Sequence, residues 1–202
     1  MTASHVDRRV LVFGDSIVAG TGDPQALGWV GRVVAASWAA GLPLTAYQLG
    51  VRRETSLQVA ARWRAEALPR LADGAVSRVA FSFGVNDATV EEGRERVAPA
   101  TSAATLDGVL DDARELGLPA FVVGPAPVAD AAHSARVRLL SERFADVCAR
   151  HAVPYVAVAD ALVADGAWAR EAAAGDGAHP AAAGYEALAR LVLGGGWLQW
   201  LR

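Results

Sequence analysis

Lysine is absent from this sequence, and all 19 of its basic residues are arginine. The absence excludes chemistry that needs a lysine amine, the P-loop and Schiff-base mechanisms among it. Cysteine is almost absent as well. Cys148 stands alone, so no internal disulfide can form and a reducing compartment is permitted. Val137, Leu140, Phe144, Val147 and Cys148 share one face at helical spacing, which reads Cys148 as a small core residue rather than a nucleophile. There is no basic excess: the formal net charge is -3 and the arginines are scattered, so a nucleic-acid partner is not expected. Long apolar runs are missing too. Val10-Leu11-Val12-Phe13, preceded by Arg8 and Arg9, stops after four residues at Gly14-Asp15, too short for a signal-peptide core or a membrane span. The expectation is a soluble, cytoplasmic protein.

What is present is a chain of 202 residues, 53% apolar, long enough for one well-buried α/β domain spanning 1–202. Runs rich in Val, Leu, Phe and Tyr at 9–13, 44–49, 79–83, 120–123 and 155–158 read as buried parallel strands. Helical periodicity occupies 25–40, 55–68, 99–116, 134–151 and 180–193. This alternation predicts a three-layer α/β/α sandwich around a five-stranded parallel sheet. Thr55-Ser56-Leu57-Gln58 has the capping-box pattern of a helix start, and Gly117 is placed to end the helix from Pro99. No internal repeat or low-complexity linker divides the chain.

In an open parallel sheet, ligands bind beyond the carboxyl ends of the strands. Three small or polar segments converge there: Gly14-Asp15-Ser16, Gly50 and Gly84-Val85-Asn86-Asp87. Ser16 follows a strand and a glycine, where the free N–H groups of a helix start favour negative charge; it is placed either to attack a carbonyl or simply to cap that helix. Asn86 offers an uncharged amide donor to an oxyanion, or serves as a turn residue. Gly50 marks a tight turn or a close backbone approach to a ligand. A serine nucleophile needs a base, and Asp176-Gly177-Ala178-His179-Pro180 supplies an imidazole with a carboxylate three residues before it. Pro180 suits a first helical position, which would set His179 at a loop–helix junction. His5, His133 and His151 lack such neighbours, and no metal-ligand spacing appears, so neither a metal nor another cofactor is expected. Gly20-Thr21-Gly22 lacks the third glycine of a dinucleotide fingerprint, Gln25 standing there instead.

Taken in order, these blocks resemble the SGNH hydrolases, also called the GDSL esterase/lipase family, over the span from Gly14 to Pro180. The resemblance implies a flavodoxin-like sheet, with Ser16 as nucleophile, His179 as general base and acid, and Asp176 as the carboxylate that orients it. It further implies an oxyanion hole made by the backbone N–H groups of Ser16 and Gly50 and the Asn86 amide. Ile17 stands where the family often has leucine, and Gln48 where its second block often has asparagine. Val18 replaces the second glycine of a Gly-x-Ser-x-Gly elbow, which argues against the α/β-hydrolase fold.

The expected activity is a serine esterase or acylhydrolase acting through an acyl-enzyme on a small-molecule ester. A thioesterase or acyltransferase with the same triad is the enzymatic alternative, and a non-catalytic ligand-binding protein on the same fold the alternative of another class. The lack of a long apolar lid favours small or short-acyl substrates. Trp29, Trp63 and Trp168 read as core or as acyl-pocket walls. Arg52 and Arg53 face an anionic leaving group or solvent. The segment from Gly194 to Arg202, with Trp197 and Trp200, should bury itself, over its own domain or against a second subunit of a homodimer.

Overall fold

A computed structural model describes residues 6–202. Its centre is a five-stranded parallel sheet in the order β2-β1-β3-β6-β7, formed by β1 (Arg8–Gly14), β2 (Thr45–Gly50), β3 (Val76–Ser82), β6 (Ala120–Val123) and β7 (Tyr155–Val156). A separate two-stranded hairpin, β4 (Val90–Glu91) and β5 (Arg94–Glu95), projects after β3. The strands read as continuous apolar runs because both faces of the sheet are covered. Side chains alternate between the faces with the period of two. Val10 and Val12 belong to one core, with Trp29, Val33, Tyr185 and Leu188. Leu11 and Phe13 belong to the other, with Trp63, Leu106, Phe144 and Cys148. The first face is covered by α1 (Gly28–Ala39), α5 (Ala159–Asp165), α6 (Ala167–Ala174), α7 (Ala182–Gly194) and α8 (Trp197–Trp200), the second by α2 (Ser56–Ala67), α3 (Pro99–Glu115) and α4 (Ala131–Arg150).

The expected sandwich is therefore the observed one, and the differences from the sequence expectation lie at element ends and in several short added elements. Helix α1 begins at Gly28, not Gln25, because the buried Asp23 carboxylate accepts the N–H groups of Gln25 and Gly28 at 3.0 and 2.9 Å and Ala26 adopts a left-handed φ of 56°. Helix α4 starts three residues early, at Ala131, where Asp130 accepts the His133 N–H at 2.6 Å. Helix α7 starts at Ala182, so Pro180 precedes the helix instead of opening it. Strand β7 ends at Val156. The short helices α5 and α6 have no counterpart in the sequence expectation because their alanine-rich stretch carries little periodicity, and α8 and the hairpin are too short to show a period. The Thr55–Gln58 pair does cap α2, the Thr55 N–H donating to Gln58 Oε1 at 2.9 Å.

The tail folds back onto the domain. Trp197 is fully buried, edge-on to Trp29 and Phe121, and donates its indole N–H to Ser37 Oγ at 3.0 Å. Trp29, Trp63 and Trp168 are all core residues. Among the described residues, no helix is long and apolar enough to cross a membrane.

Connections from β1 and from β3 leave toward opposite edges of the sheet, so the switch in winding direction falls between these two strands. Ser16 follows β1, and Asn86 follows β3.

Candidate active site

The chain after β1 does not enter a helix, as the sequence suggested. It coils through a compact turn in which Ala19 N–H donates to the Asp15 carbonyl at 3.1 Å and Thr21 N–H to the Ser16 carbonyl at 3.0 Å. Gly50 lies beneath this turn: a Cβ there would sit 2.4 Å from the Ala19 nitrogen and 2.5 Å from the Asp15 oxygen. Only glycine lets the two segments approach so closely. The turn is held from inside by Asp15, whose carboxylate accepts the Ile17 N–H at 2.9 Å. Burial is the main cause that pushes the Asp15 carboxyl up to about 7; the Ile17 N–H opposes it, and the charges of Asp87 and Glu54 add to it.

Ser16 Oγ lies 2.7 Å from His179 Nε2, and His179 Nδ1 lies 2.6 Å from Asp176 Oδ2. The other Asp176 oxygen accepts the backbone N–H groups of Ala178 and His179 at 3.0 and 2.9 Å. Partial burial works against the Asp176 charge, but the bonds from the His179 ring and the two N–H groups outweigh it and bring the carboxyl down to about 2. An ionised carboxylate on Nδ1 leaves Nε2 as the acceptor facing Ser16. The loop is tied at Gly177, whose carbonyl accepts the Ala129 N–H at 2.7 Å. Behind the imidazole, Gly22 leaves no room for a side chain, since a Cβ there would meet the Pro180 oxygen at 2.8 Å and His179 Cβ at 3.1 Å. Tyr185 of α7 donates to the Thr21 carbonyl at 2.7 Å, joining the loops on either side of His179.

Asn86 comes from the opposite side. Its Nδ2 donates to the Glu54 carbonyl at 2.9 Å, with Asp15 Oδ2 at 3.5 Å. The loop that follows β2 is clamped by Arg62, which nothing in the sequence singles out, and by Asp87, to which the sequence assigns no role. Arg62 donates to Glu54 Oε2 at 2.7 Å and to the carbonyls of Leu49 and Gly14 at 2.8 and 3.2 Å. Asp87, fully buried, accepts the Ser56 N–H at 2.7 Å. Asp87 lies in the Gly84–Asp87 block, but its hold on Ser56, 31 residues away, has no local signature, and no pattern marks Arg62. Gln48, the second departure from the SGNH pattern, is exposed on β2.

A small cavity of about 70 Å³ opens at this junction, with Ser16, Asn86 and His179 on its polar side and Ile17, Pro127 and Val128 on its apolar side. Arg52 and Arg53 also line it; Gly50 does not. On the far side of His179 a wider hollow of about 400 Å³ is bordered by Gly22, Glu171, Gly175 and Asp176. His133 bonds the Val85 carbonyl through Nε2 at 2.8 Å, and His5 lies outside the described residues. Among the described residues one group has metal-ligand proximity: Asp107, Asp111 and His151, whose ligand atoms lie within 4.8 Å of one another. Arg150 already occupies Asp107 at 2.9 Å and Arg114 occupies Asp111 at 2.7 Å, and the group sits at the end of α4, away from Ser16.

A doubly wound sandwich that brings a serine, a histidine and an aspartate together at its switch point has the layout of an ester hydrolase. Residues 12–187 match the GDSL-like lipase/acylhydrolase family. The chain belongs to that family, and it is a carboxylic-ester hydrolase. Among solved structures it is similar to an acetylxylan esterase from Geobacillus stearothermophilus, with 21% identity, a TM-score of 0.78, and coverage of 98% of this chain and 97% of that one. Other structures of that esterase are catalytic mutants of a serine, an aspartate and a histidine. A lipase/acylhydrolase from Enterococcus faecalis is 25% identical, with a TM-score of 0.75 and coverage of 94% and 95%. An α/β hydrolase from the metagenome of Lake Arreo, Spain, is 22% identical, with a TM-score of 0.74 and coverage of 98% and 97%. No curated protein matches the chain.

Proposed function

We propose that this chain hydrolyses esters of short acyl groups by two-step acyl transfer, with Ser16 as nucleophile, His179 as general base and then acid, and Asp176 as the carboxylate that orients the imidazole. The observation that carries the reading is the unbroken line from Ser16 Oγ through His179 to Asp176, with contacts of 2.7 and 2.6 Å, at the mouth of a cavity. Ser16 Oγ attacks the carbonyl carbon while its proton passes to His179 Nε2. The bond to the alcohol then breaks as the same proton is delivered to the leaving oxygen, and water repeats the sequence on the acyl-enzyme. The negative charge on the carbonyl oxygen meets the Ser16 N–H, which has no acceptor among the described residues, and the Asn86 N–H that leaves its long 3.5 Å contact with Asp15 Oδ2 to reach it. The residue types agree with those of the catalytic mutants of the Geobacillus esterase.

The two spaces beside His179 suggest the division of the substrate. The cavity of about 70 Å³ is small beside the hollow of about 400 Å³ beyond His179, which favours a short acyl group such as acetyl or propionyl. The open hollow beyond His179, where the leaving oxygen must receive its proton, suits a larger alcohol.

The test is reaction with a fluorophosphonate followed by mass spectrometry of the modified peptide. Label on Ser16, abolished in Ser16→Ala, is the expected result. An active protein that takes up no label, or takes it up elsewhere, overturns the assignment.

A further inference from the structure

We propose that the substrates are half-esters of short dicarboxylic acids, whose free carboxylate meets Arg52 and Arg53 at the rim of the small cavity while the alcohol occupies the hollow beyond His179. The proposal deepens the reading of Ser16 as nucleophile and rests on it.

The two spaces beside His179 carry opposite charge. Arg52 and Arg53 line the cavity shared by Ser16, Asn86 and His179, and no acid among the described residues lines it with them. The hollow on the other side is bordered by Glu171 and Asp176, and no arginine among the described residues borders it. A negative group on the acyl side is thus attracted, and the same group on the alcohol side is repelled.

Both arginines are available for such a group. Arg52 is exposed and pairs with no carboxylate among the described residues; Glu54, two positions on, is taken by Arg62 at 2.7 Å. Arg53 is 81% exposed, and Glu91 stands 3.9 Å from it and 3.7 Å from Arg96, beyond hydrogen-bond reach of either. A partner held so loosely gives way to a substrate carboxylate that forms charge-assisted hydrogen bonds at full contact. The backbone that presents the two side chains is itself fastened, by Arg96 Nη1 at the Arg53 carbonyl, 3.0 Å, and by Asn86 at the Glu54 carbonyl, 2.9 Å.

The chain between ester carbonyl and carboxylate must be short, because only the cavity of about 70 Å³ separates Ser16 from the rim. Acids of the size of malonate and succinate meet that limit. The chemistry is the two-step transfer already described: the bond from acyl carbon to alcohol oxygen breaks, water is consumed, and a dicarboxylate, an alcohol and one proton are released.

The test compares monomethyl succinate with methyl levulinate, an uncharged ester of similar shape, on the full chain in a pH-stat. The readout is the ratio of kcat/KM for the charged ester over the uncharged one, from which any general loss of activity cancels. Arg52→Gln is expected to lower this ratio about fivefold, and Arg52→Gln combined with Arg53→Gln about 25-fold. Arg52→Lys, which keeps the charge, is expected to retain about half of the parent ratio, and Glu91→Gln, which removes a competing anion, to raise it about twofold. Raising sodium chloride from about 0.05 to about 0.5 M lowers the ratio in the parent and not in the double variant. A second pair, acetoxyacetate against acetoxyacetone, places the charge on the alcohol; there the double variant is expected to change the ratio less than about twofold. A succinate ratio unchanged in the double variant overturns the proposal, as does a loss confined to acetoxyacetate. Fluorophosphonate labelling of the parent separates the two levels: an active protein without label on Ser16 refutes the nucleophile assignment, whereas full label with an unchanged succinate ratio refutes only the role of the arginines.

Discussion

His179 Nε2 and Ser16 Oγ stand 2.7 Å apart across 163 residues of chain. Neither belongs to a helix or strand, so their distance depends on how two loops are held. The turn at Ser16 is tied by its own carbonyls and by Asp15, and the His179 loop by Asp176, Gly177 and the close fit against Gly22. The same packing that builds the first core, α1 and α7 on one face of the sheet, brings those loops together.

If Asp176 orients His179, replacing it by the isosteric amide should damage turnover more than binding. Asp176→Asn is expected to lower kcat by roughly 10⁴ while KM changes little, as when a triad histidine is left in the wrong tautomer. Steady-state kinetics on p-nitrophenyl acetate decide it; a loss of less than about tenfold takes Asp176 out of the mechanism.

Two carboxyls should give stability opposite dependences on pH. Asp176 has a folded value of about 2, below the ordinary range near 3.9, so its contribution is present above that range and is lost as pH falls toward 2. Asp15 is shifted the other way, to about 7. The native state keeps its proton where the unfolded chain has released it, so this contribution is full below about pH 4 and is lost as pH rises to 7. Asp15→Asn, which keeps an acceptor for Ile17, is therefore expected to gain stability relative to the parent between pH 4 and 7. Urea midpoints at three pH values across the window measure it, and a constant difference contradicts the assignment.

Acyl length should be limited by the small cavity. Rates on p-nitrophenyl esters are expected to be highest for acetate and to fall steeply beyond butyrate. Ile17→Ala, which removes part of the apolar wall, should move the optimum to a longer chain. A parent profile that peaks at octanoate would show that acyl chains go elsewhere.

The tail should behave as part of the core. Trp197→Ala removes a fully buried indole packed on Trp29 and Phe121 and leaves Ser37 Oγ without that donor. The expected loss is about 3–5 kcal/mol, read by denaturant unfolding. Light scattering of a Gly194–Arg202 deletion gives the separate answer on oligomeric state: an unchanged mass removes the tail from any subunit contact.

Much of this architecture was readable in one dimension. The runs at 9–13 and 120–123 are strands because their residues bury both faces of a covered sheet, and that pattern survives without knowledge of the neighbours. The beginnings of α1 and α4 were not readable to the residue. At α1 the deciding group is the Asp23 carboxylate, which Arg32 Nη1 also bonds at 2.5 Å, nine positions along. The alanine-rich stretch that forms α5 and α6 acquires its helices from burial of Leu162 and Trp168, not from a marked period of its own.

For the site, the residue types and their order were in the sequence: Gly14-Asp15-Ser16, Asn86, and Asp176 three residues before His179. Local chemistry suffices there, because a carboxylate, an imidazole and a hydroxyl have few alternative uses at strand ends. What only the tertiary structure decided is which groups face the cavity. Gly50 turned out to be a point of backbone contact, and Arg53 a left-handed residue on the cavity wall, because both depend on where residues 15–19 and 86–87 press on the loop. Such contacts link segments tens of residues apart, and no local propensity encodes them.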